Sequence, residues 1–253
     1  MGIKYVYTLS SRGHLVLRAL HSIRTLSRFV DPADIVVFYT PPRTEADRTV
    51  LAGLGVDLRE EPAETESFSA FGDEPAHYGE KLKLCSVDAE TVVFLDCDTL
   101  VLGDIREVLD GTFDFKARPG TESPREPDWR EMFQRFNRPY LRWMPNAGFM
   151  IFRNWIHQDI RDSWQEFLAA DIGYQHGPYT DHREQYALAL AVSAYDTEQM
   201  KNREHVMEWN DERMPDGIVY HIGRTIENSI DTAPRTFKGN LYNALKSLSE
   251  GRI

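Results

Sequence analysis

The segment "VVFLDCDTLVLGD", residues 92–104, decides how the chain is read. Four apolar residues, Val92, Val93, Phe94 and Leu95, lead into Asp96, Cys97 and Asp98, and a second apolar stretch follows at once. Carboxylates delivered by a buried strand need a positive partner, because an unpaired buried charge is strongly unfavourable or is lost to protonation. Side chains alternate along a strand, so the pattern predicts Asp96 and Asp98 on one face, with Leu95 and Cys97 on the other. In an open α/β sheet, ligands bind at the carboxyl ends of the strands. Two carboxylates there suit a hard divalent cation, Mg²⁺ or Mn²⁺, which can in turn neutralise a diphosphate. The plainer reading is a turn at Asp98 and Thr99, with Asp104 capping the helix that follows.

Upstream of this segment, strand-like and helix-like patterns alternate. "IKYVYTL" (3–9), "DIVVFYT" (34–40) and "VDLREE" (56–61) read as strands, and segments 14–29 and 44–53 as helices. In the first helix Leu15, Leu17, Leu20, Ile23 and Leu26 supply the apolar positions. Such alternation predicts βαβ units and a mostly parallel sheet flanked by helices. After the break "GDEPAHYG" (72–79), "EKLKLCSVD" reads as a short helix entering the opening strand. Downstream, "TFDFKAR", "AGFMIFR" and "GIVYHIG" (217–223) read as strands, and 155–170 and 182–194 as helices. Residues 119–145 read as a charged, proline-bearing loop. The economical organisation is one α/β domain over 1–253, with a nucleotide-binding half over about 1–110 and an acceptor and catalytic half over about 111–253.

Composition narrows the function. The chain carries 29 basic and 40 acidic residues, a formal charge of −11, which argues against a nonspecific grip on nucleic acid or on an anionic membrane. A phosphate-bearing ligand must then meet a local cation. Two cysteines, Cys85 and Cys97, are too few for a disulfide framework and lack the spacing of a zinc cluster, so a cytoplasmic setting is expected. "MGIKYVYTLS" lacks the pattern of a signal peptide, and "ALALAV" (187–192) falls far short of the roughly 18 apolar residues of a membrane span.

The stretch "YGEKLKLCSVDAETVVFLDCDTLVLGDI" (78–105) resembles the central segment of GT-A-fold nucleotide-sugar glycosyltransferases, in particular the retaining family of glycogenin and the lipopolysaccharide galactosyltransferases. In that family a K-L segment precedes a strand ending in D-x-D, as Lys81 and Leu82 precede Asp96, Cys97 and Asp98. The resemblance implies a GT-A, Rossmann-like fold and a Mn²⁺ or Mg²⁺ held by Asp96 and Asp98 on the diphosphate of a donor. It places Lys81 on that donor, with Lys83 as a competing match.

Further segments resemble the family in order. "YVYTLSSRGHLVLRALHSI" would bring Thr8, Leu9 and Ser10 to the base and ribose. "MPNAGFMIFR" would set Asn146, Ala147 and Gly148 beside the sugar, and "DHREQYALAL" would place Asp181, Glu184 and Gln185 at the reacting centre. "VYHIGRT" would supply His221 as third metal ligand, with Gly223 and Arg224 at the donor; a neutral imidazole added to two carboxylates favours Mn²⁺ over Mg²⁺. The family's K-P-W after that glycine is absent, which leaves Arg224 or Lys238 to neutralise phosphate.

The activity implied is transfer of a hexose from UDP-glucose or UDP-galactose to a carbohydrate, glycolipid or other hydroxyl acceptor. Retention would follow from same-face attack, or from a covalent intermediate on Glu184; inversion would make Asp181 or Glu184 the general base. Trp129, Trp143, Trp155, Trp164 and Trp209 read either as a carbohydrate platform or, as most tryptophans at helical spacing do, as core; Trp129 and Trp143, flanking a polar loop, are the expected acceptor contacts. Arginines at 125, 130, 135, 138 and 142 form either a solvated face or a site for an anionic acceptor. Two alternatives stand beside this reading: a haloacid-dehalogenase-type phosphatase, whose D-x-D-x-[TV] motif "DCDTL" fits poorly at Leu100, and a nucleotide-sugar-binding protein without activity.

Overall fold

A computed structural model describes residues 2–9, 14–41, 44–64, 79–120, 124–174, 183–207 and 216–221. Ser10, Asp181, Trp209, Gly223, Arg224 and Lys238 lie outside the described residues. The described strands order as β3-β2-β1-β4-β7-β6-β8 in a mixed, mostly parallel seven-stranded sheet, and as β5-β10-β9 in a three-stranded one. Helices flank this α/β core, as the sequence predicts. The ranges are β1 (Ile3–Leu9), β2 (Ile35–Tyr39), β3 (Asp57–Glu60), β4 (Thr91–Leu95), β5 (Thr99–Val101), β6 (Phe115–Pro119), β7 (Pro145–Phe152), β8 (Thr197–Gln199), β9 (His205–Met207) and β10 (Val219–His221). Contacts group the chain into two compact units.

The first unit comprises Met1–Lys4, Pro62–Phe94 and Thr112–Gln199. Its β7 is an eight-residue strand buried along nearly its whole length, paired antiparallel with β6, which runs parallel to β8. The helix expected over 155–170 is two helices, α4 (Ile156–Asp159) and α5 (Arg161–Ala169). Helix α6 (Arg183–Val192) is buried on all sides, which is why it reads as an almost unbroken apolar run. Segment 119–145 is not all loop: Asp128–Arg135 forms α3. Four of the eight residues of α3 are charged, which masks the i, i+3, i+4 spacing of its buried Trp129, Met132 and Phe133.

These positions overturn the expectation for the tryptophans. Trp129 is fully buried among Phe133, Tyr174 and Tyr186, with its indole N–H donating to Leu141 O at 2.8 Å. Trp143 is likewise buried, stacked near Phe115. Both rings are core, because their large apolar area is worth more inside and the buried indole of Trp129 has found an acceptor.

The second unit comprises Tyr5–Glu61, Leu95–Gly111 and Met200–Ile253. Strand β1 pairs parallel with β2, and β2 parallel with β3. The fully buried run "IVVFY" of β2 marks a central strand, while the charged "DLRE" of β3 is only partly covered. Helix α1 (His14–Leu26) and helix α2 (Glu45–Ala52) belong to this unit. Thr44 caps α2 by accepting from Asp47 N at 3.1 Å, and Glu45 and Asp47 place negative charge at its positive end. As the plainer reading expects, Asp104 caps the 3₁₀ turn Ile105–Leu109 through Arg106 N. In the small sheet β10 pairs antiparallel with β5 and parallel with β9. Glycine is required beside it: a Cβ on Gly217 would lie 2.3 Å from Val206 Cγ2. No helix among the described residues is long and apolar enough to cross a membrane.

Candidate active site

Strand β4 ends at Leu95 and β5 starts at Thr99, so Asp96, Cys97 and Asp98 form the turn between them rather than the end of a strand. The alternation argument for Asp96 and Asp98 is thereby corrected. Thr99 closes the turn, donating to Asp96 O from its amide at 3.2 Å and from its hydroxyl at 2.8 Å. A turn of this kind still gathers the two carboxylates. Asp96, Asp98 and His221 each offer a ligand atom, all within 4.8 Å of one another.

His221 arrives through strand register. The antiparallel pairing of β10 with β5 sets His221 opposite Thr99, one residue from Asp98, and its Nε2 lies 3.2 Å from Asp98 Oδ1. The ring of His205, fully buried on β9, stacks on His221 at 5.6 Å between centroids and 8° between planes. Asp98 Oδ2 faces Arg18 of α1 at 3.8 Å. Burial raises the Asp98 carboxyl, but the charge and hydrogen bond of His221, with Arg18, outweigh it and pull the group down to about 2. Asp98 therefore stands ionised. Burial and the two neighbouring carboxylates push the Cys97 thiol well above its usual range, so it stays protonated.

Helix α1 is fastened to this turn by buried hydroxyls. Ser22 Oγ lies 3.0 Å from Thr99 Oγ1 and 2.9 Å from Tyr7 OH, while Thr25 Oγ1 accepts Val101 N at 3.0 Å. Arg18, Ser22 and Thr25 share one helical face at i, i+4 and i+7. That polar stripe was visible in the sequence and marks Arg18, which sequence reasoning passed over; His205, on a three-residue strand, left no comparable signal. At the end of β1, Thr8 is half-buried and Leu9 packs its side chain fully inside, with Leu9 O accepting Thr40 N at 2.9 Å.

The other expected residues meet within the first unit. Lys81 sits on the 3₁₀ segment Gly79–Ser86, and its buried Nζ donates to Ala147 O and to Glu184 Oε1, both at 3.0 Å. Glu184 lies in the first turn of α6 and is itself buried, with Gln185 beside it. Asn146 on β7 folds its Oδ1 back to accept Gly148 N at 2.9 Å. Lys83, the competing match, is taken by a buried ion pair with Glu80. The structure therefore brings Lys81, Ala147 and Glu184 into contact in one unit, and Asp96, Asp98 and His221 in the other.

Two carboxylates and an imidazole form a donor set suited to Mn²⁺. Octahedral ligands about 2.1 Å from an ion stand about 3 Å apart when adjacent and about 4.2 Å when opposed, the same scale as the observed cluster.

No family model matches the chain, and no curated protein matches it. Its fold is shared with solved glycosyltransferases at low identity. A structure of the galactosyltransferase LgtC with donor and acceptor sugar analogues is 16% identical, with a TM-score of 0.66 over 98% of this chain and 95% of that one. The glycosyltransferase GlyE of Streptococcus pneumoniae is 13% identical, with a TM-score of 0.60 over 98% of this chain and 61% of that one. Mouse xyloside xylosyltransferase 1 is 13% identical, with a TM-score of 0.51 over 88% of this chain and 98% of that one. The expected GT-A architecture is thus borne out.

Proposed function

We propose that this protein is a metal-dependent glycosyltransferase that moves a hexose from UDP-glucose or UDP-galactose to a hydroxyl acceptor, with retention, working as one GT-A domain in the cytoplasm. The observation that carries the proposal is the convergence of Asp96, Asp98 and His221 from separate elements on a fold shared with glycosyltransferases. A Mn²⁺ held by these three would supply Lewis-acid stabilisation of the departing diphosphate. The remaining work falls to the chain. Thr8, Leu9 and Ser10 would hold base and ribose, with Gly223 and Arg224 at the phosphates. Asn146, Ala147, Gly148 and Gln185 would orient the sugar, with Asp181 beside the acceptor.

In the reaction, the bond from C1 to the phosphate oxygen breaks with its electron pair left on the diphosphate. In same-face attack the acceptor oxygen forms the new bond to C1 and passes its proton to the departing phosphate oxygen. Glu184 would face the positive C1, either stabilising it through space or bonding it, and Lys81 holds Glu184 in place by pairing with it at 3.0 Å.

The phosphatase alternative loses its support, because the aspartates follow the fourth strand of a sheet shared with glycosyltransferases. Slow Mn²⁺-dependent hydrolysis of UDP-glucose or UDP-galactose without acceptor tests the proposal and separates an enzyme from a binding protein. Asp98→Ala should lower that hydrolysis at least a hundredfold, about 2.7 kcal/mol in barrier. UDP binding that persists unchanged after chelation would sink the metal bridge.

A further inference from the structure

We propose that Arg18, on helix α1, is a cationic residue for the donor diphosphate, acting opposite His221 across Asp98. This role rests on the glycosyltransferase reading. Asp98 lies between two nitrogen-bearing side chains from different elements, the imidazole of His221 with Nε2 at 3.2 Å from Oδ1 and the Arg18 guanidinium at 3.8 Å from Oδ2. A separation of 3.8 Å is an ion pair without a hydrogen bond, so Arg18 neutralises Asp98 at a distance rather than being locked onto it. The side chain is only 10% exposed, so its charge is little screened by solvent.

The position of Arg18 is set by the fold. Ser22 and Thr25, one and two turns further along α1, hydrogen-bond to Thr99 and Val101 on the strand that leaves the aspartate turn. The helix cannot shift away from that turn without breaking these buried bonds.

Charge balance defines the role. Asp96 and Asp98 carry two negative charges, and a divalent cation cancels them. The diphosphate of a nucleotide sugar adds two more, and a third appears when the electron pair of the C1–O bond stays on the leaving phosphate. The site is then anionic and needs a further fixed cation, in a chain whose formal charge is already −11. A guanidinium presents a planar fork of donors matched to phosphate oxygens, and a position beside Asp98 puts it next to the phosphate that the metal would hold. Before donor binds, the same cation opposes metal uptake by neutralising Asp98; once donor is bound, it adds to the grip on the phosphates. The two effects have opposite signs.

That opposition gives the test. Mn²⁺ binding to the full chain is measured alone, by loss of the free-ion EPR signal, and UDP binding is measured calorimetrically at saturating Mn²⁺. Arg18→Gln should bind Mn²⁺ alone several-fold more tightly and UDP about tenfold or more weakly, the range expected for losing a charged hydrogen bond. Arg18→Lys, which keeps the charge without the fork, should recover part of the UDP affinity and restore the wild-type Mn²⁺ affinity. Unchanged UDP affinity in Arg18→Gln, or equal weakening of Mn²⁺ and UDP, overturns the role and leaves the metal site standing. Wild-type protein that takes up neither Mn²⁺ nor UDP overturns the glycosyltransferase reading itself, and the role of Arg18 with it.

Discussion

Replacing Glu184 by Gln removes the carboxylate from Lys81 while leaving the side chain's size nearly unchanged. Lys81 Nζ and Glu184 Oε1 are 3.0 Å apart with side-chain exposures of 6% and 5%. At an effective dielectric constant of about 20, their attraction amounts to about 5 kcal/mol, and both ions give up hydration to meet. Breaking such a pair from one side takes the Glu184 carboxylate away from a buried ammonium that still holds the Ala147 carbonyl, and costs about 3–5 kcal/mol. For a chain of this size that corresponds to a fall in Tm of about 6–20 °C. Lys81→Met should cost a similar amount, since it takes the ammonium away from the buried carboxylate instead. The double variant removes both charges and should lose at least about 2 kcal/mol less than the sum of the two singles. Urea unfolding followed by far-UV circular dichroism, on all four members of the cycle, measures this directly. Losses that add to within about 0.5 kcal/mol would refute the direct buried pairing of Lys81 with Glu184.

Two further outcomes follow from single contacts. Burial pushes the Cys85 thiol up to about 12, while the unfolded chain releases that proton near pH 9. Above pH 9 the unfolded state then binds fewer protons than the folded one, so stability falls as pH rises, by about 1.4 kcal/mol per pH unit from this group. Unfolding free energies at pH 8 to 10 should show the slope, and Cys85→Ala should reduce it; equal slopes would contradict the assignment. Gly217→Ala should destabilise the small sheet, since the new methyl would meet Val206 Cγ2 at 2.3 Å. Overpacking of this kind costs about 1–3 kcal/mol, and Val206→Ala in the same chain should return part of it in a thermal melt.

Most of the fold was legible in the chain because period and burial coincide there. The strands 3–9 and 35–39 and the helix from residue 14 came out within a few residues of the sequence expectation, since each buries a face or a run that its apolar pattern announces. Helix α3 was hidden by its charges, and the small sheet by strands of three residues, too short to show a period. Trp129 and Trp143 were misjudged for a related reason: a polar neighbourhood in sequence says nothing about which side of a helix or strand faces inward.

At the candidate site, the sequence by itself determined the chemistry available: two aspartates one residue apart after a buried strand, a histidine before a glycine, and a lysine ahead of the motif. Those residue types set which ligands the site could take, because ligand preference is a property of the donor atoms. Only the tertiary structure decided who meets whom. The aspartates converge through a hydrogen-bonded turn instead of a pleat; His221 reaches Asp98 because β10 pairs with β5 in one register; Lys81, and not Lys83, reaches Glu184. Arg18 reaches Asp98 from a helix 80 positions earlier, fixed by two buried hydroxyls. These are contacts between residues distant in the chain, and no local pattern carries the register or the helix docking that creates them.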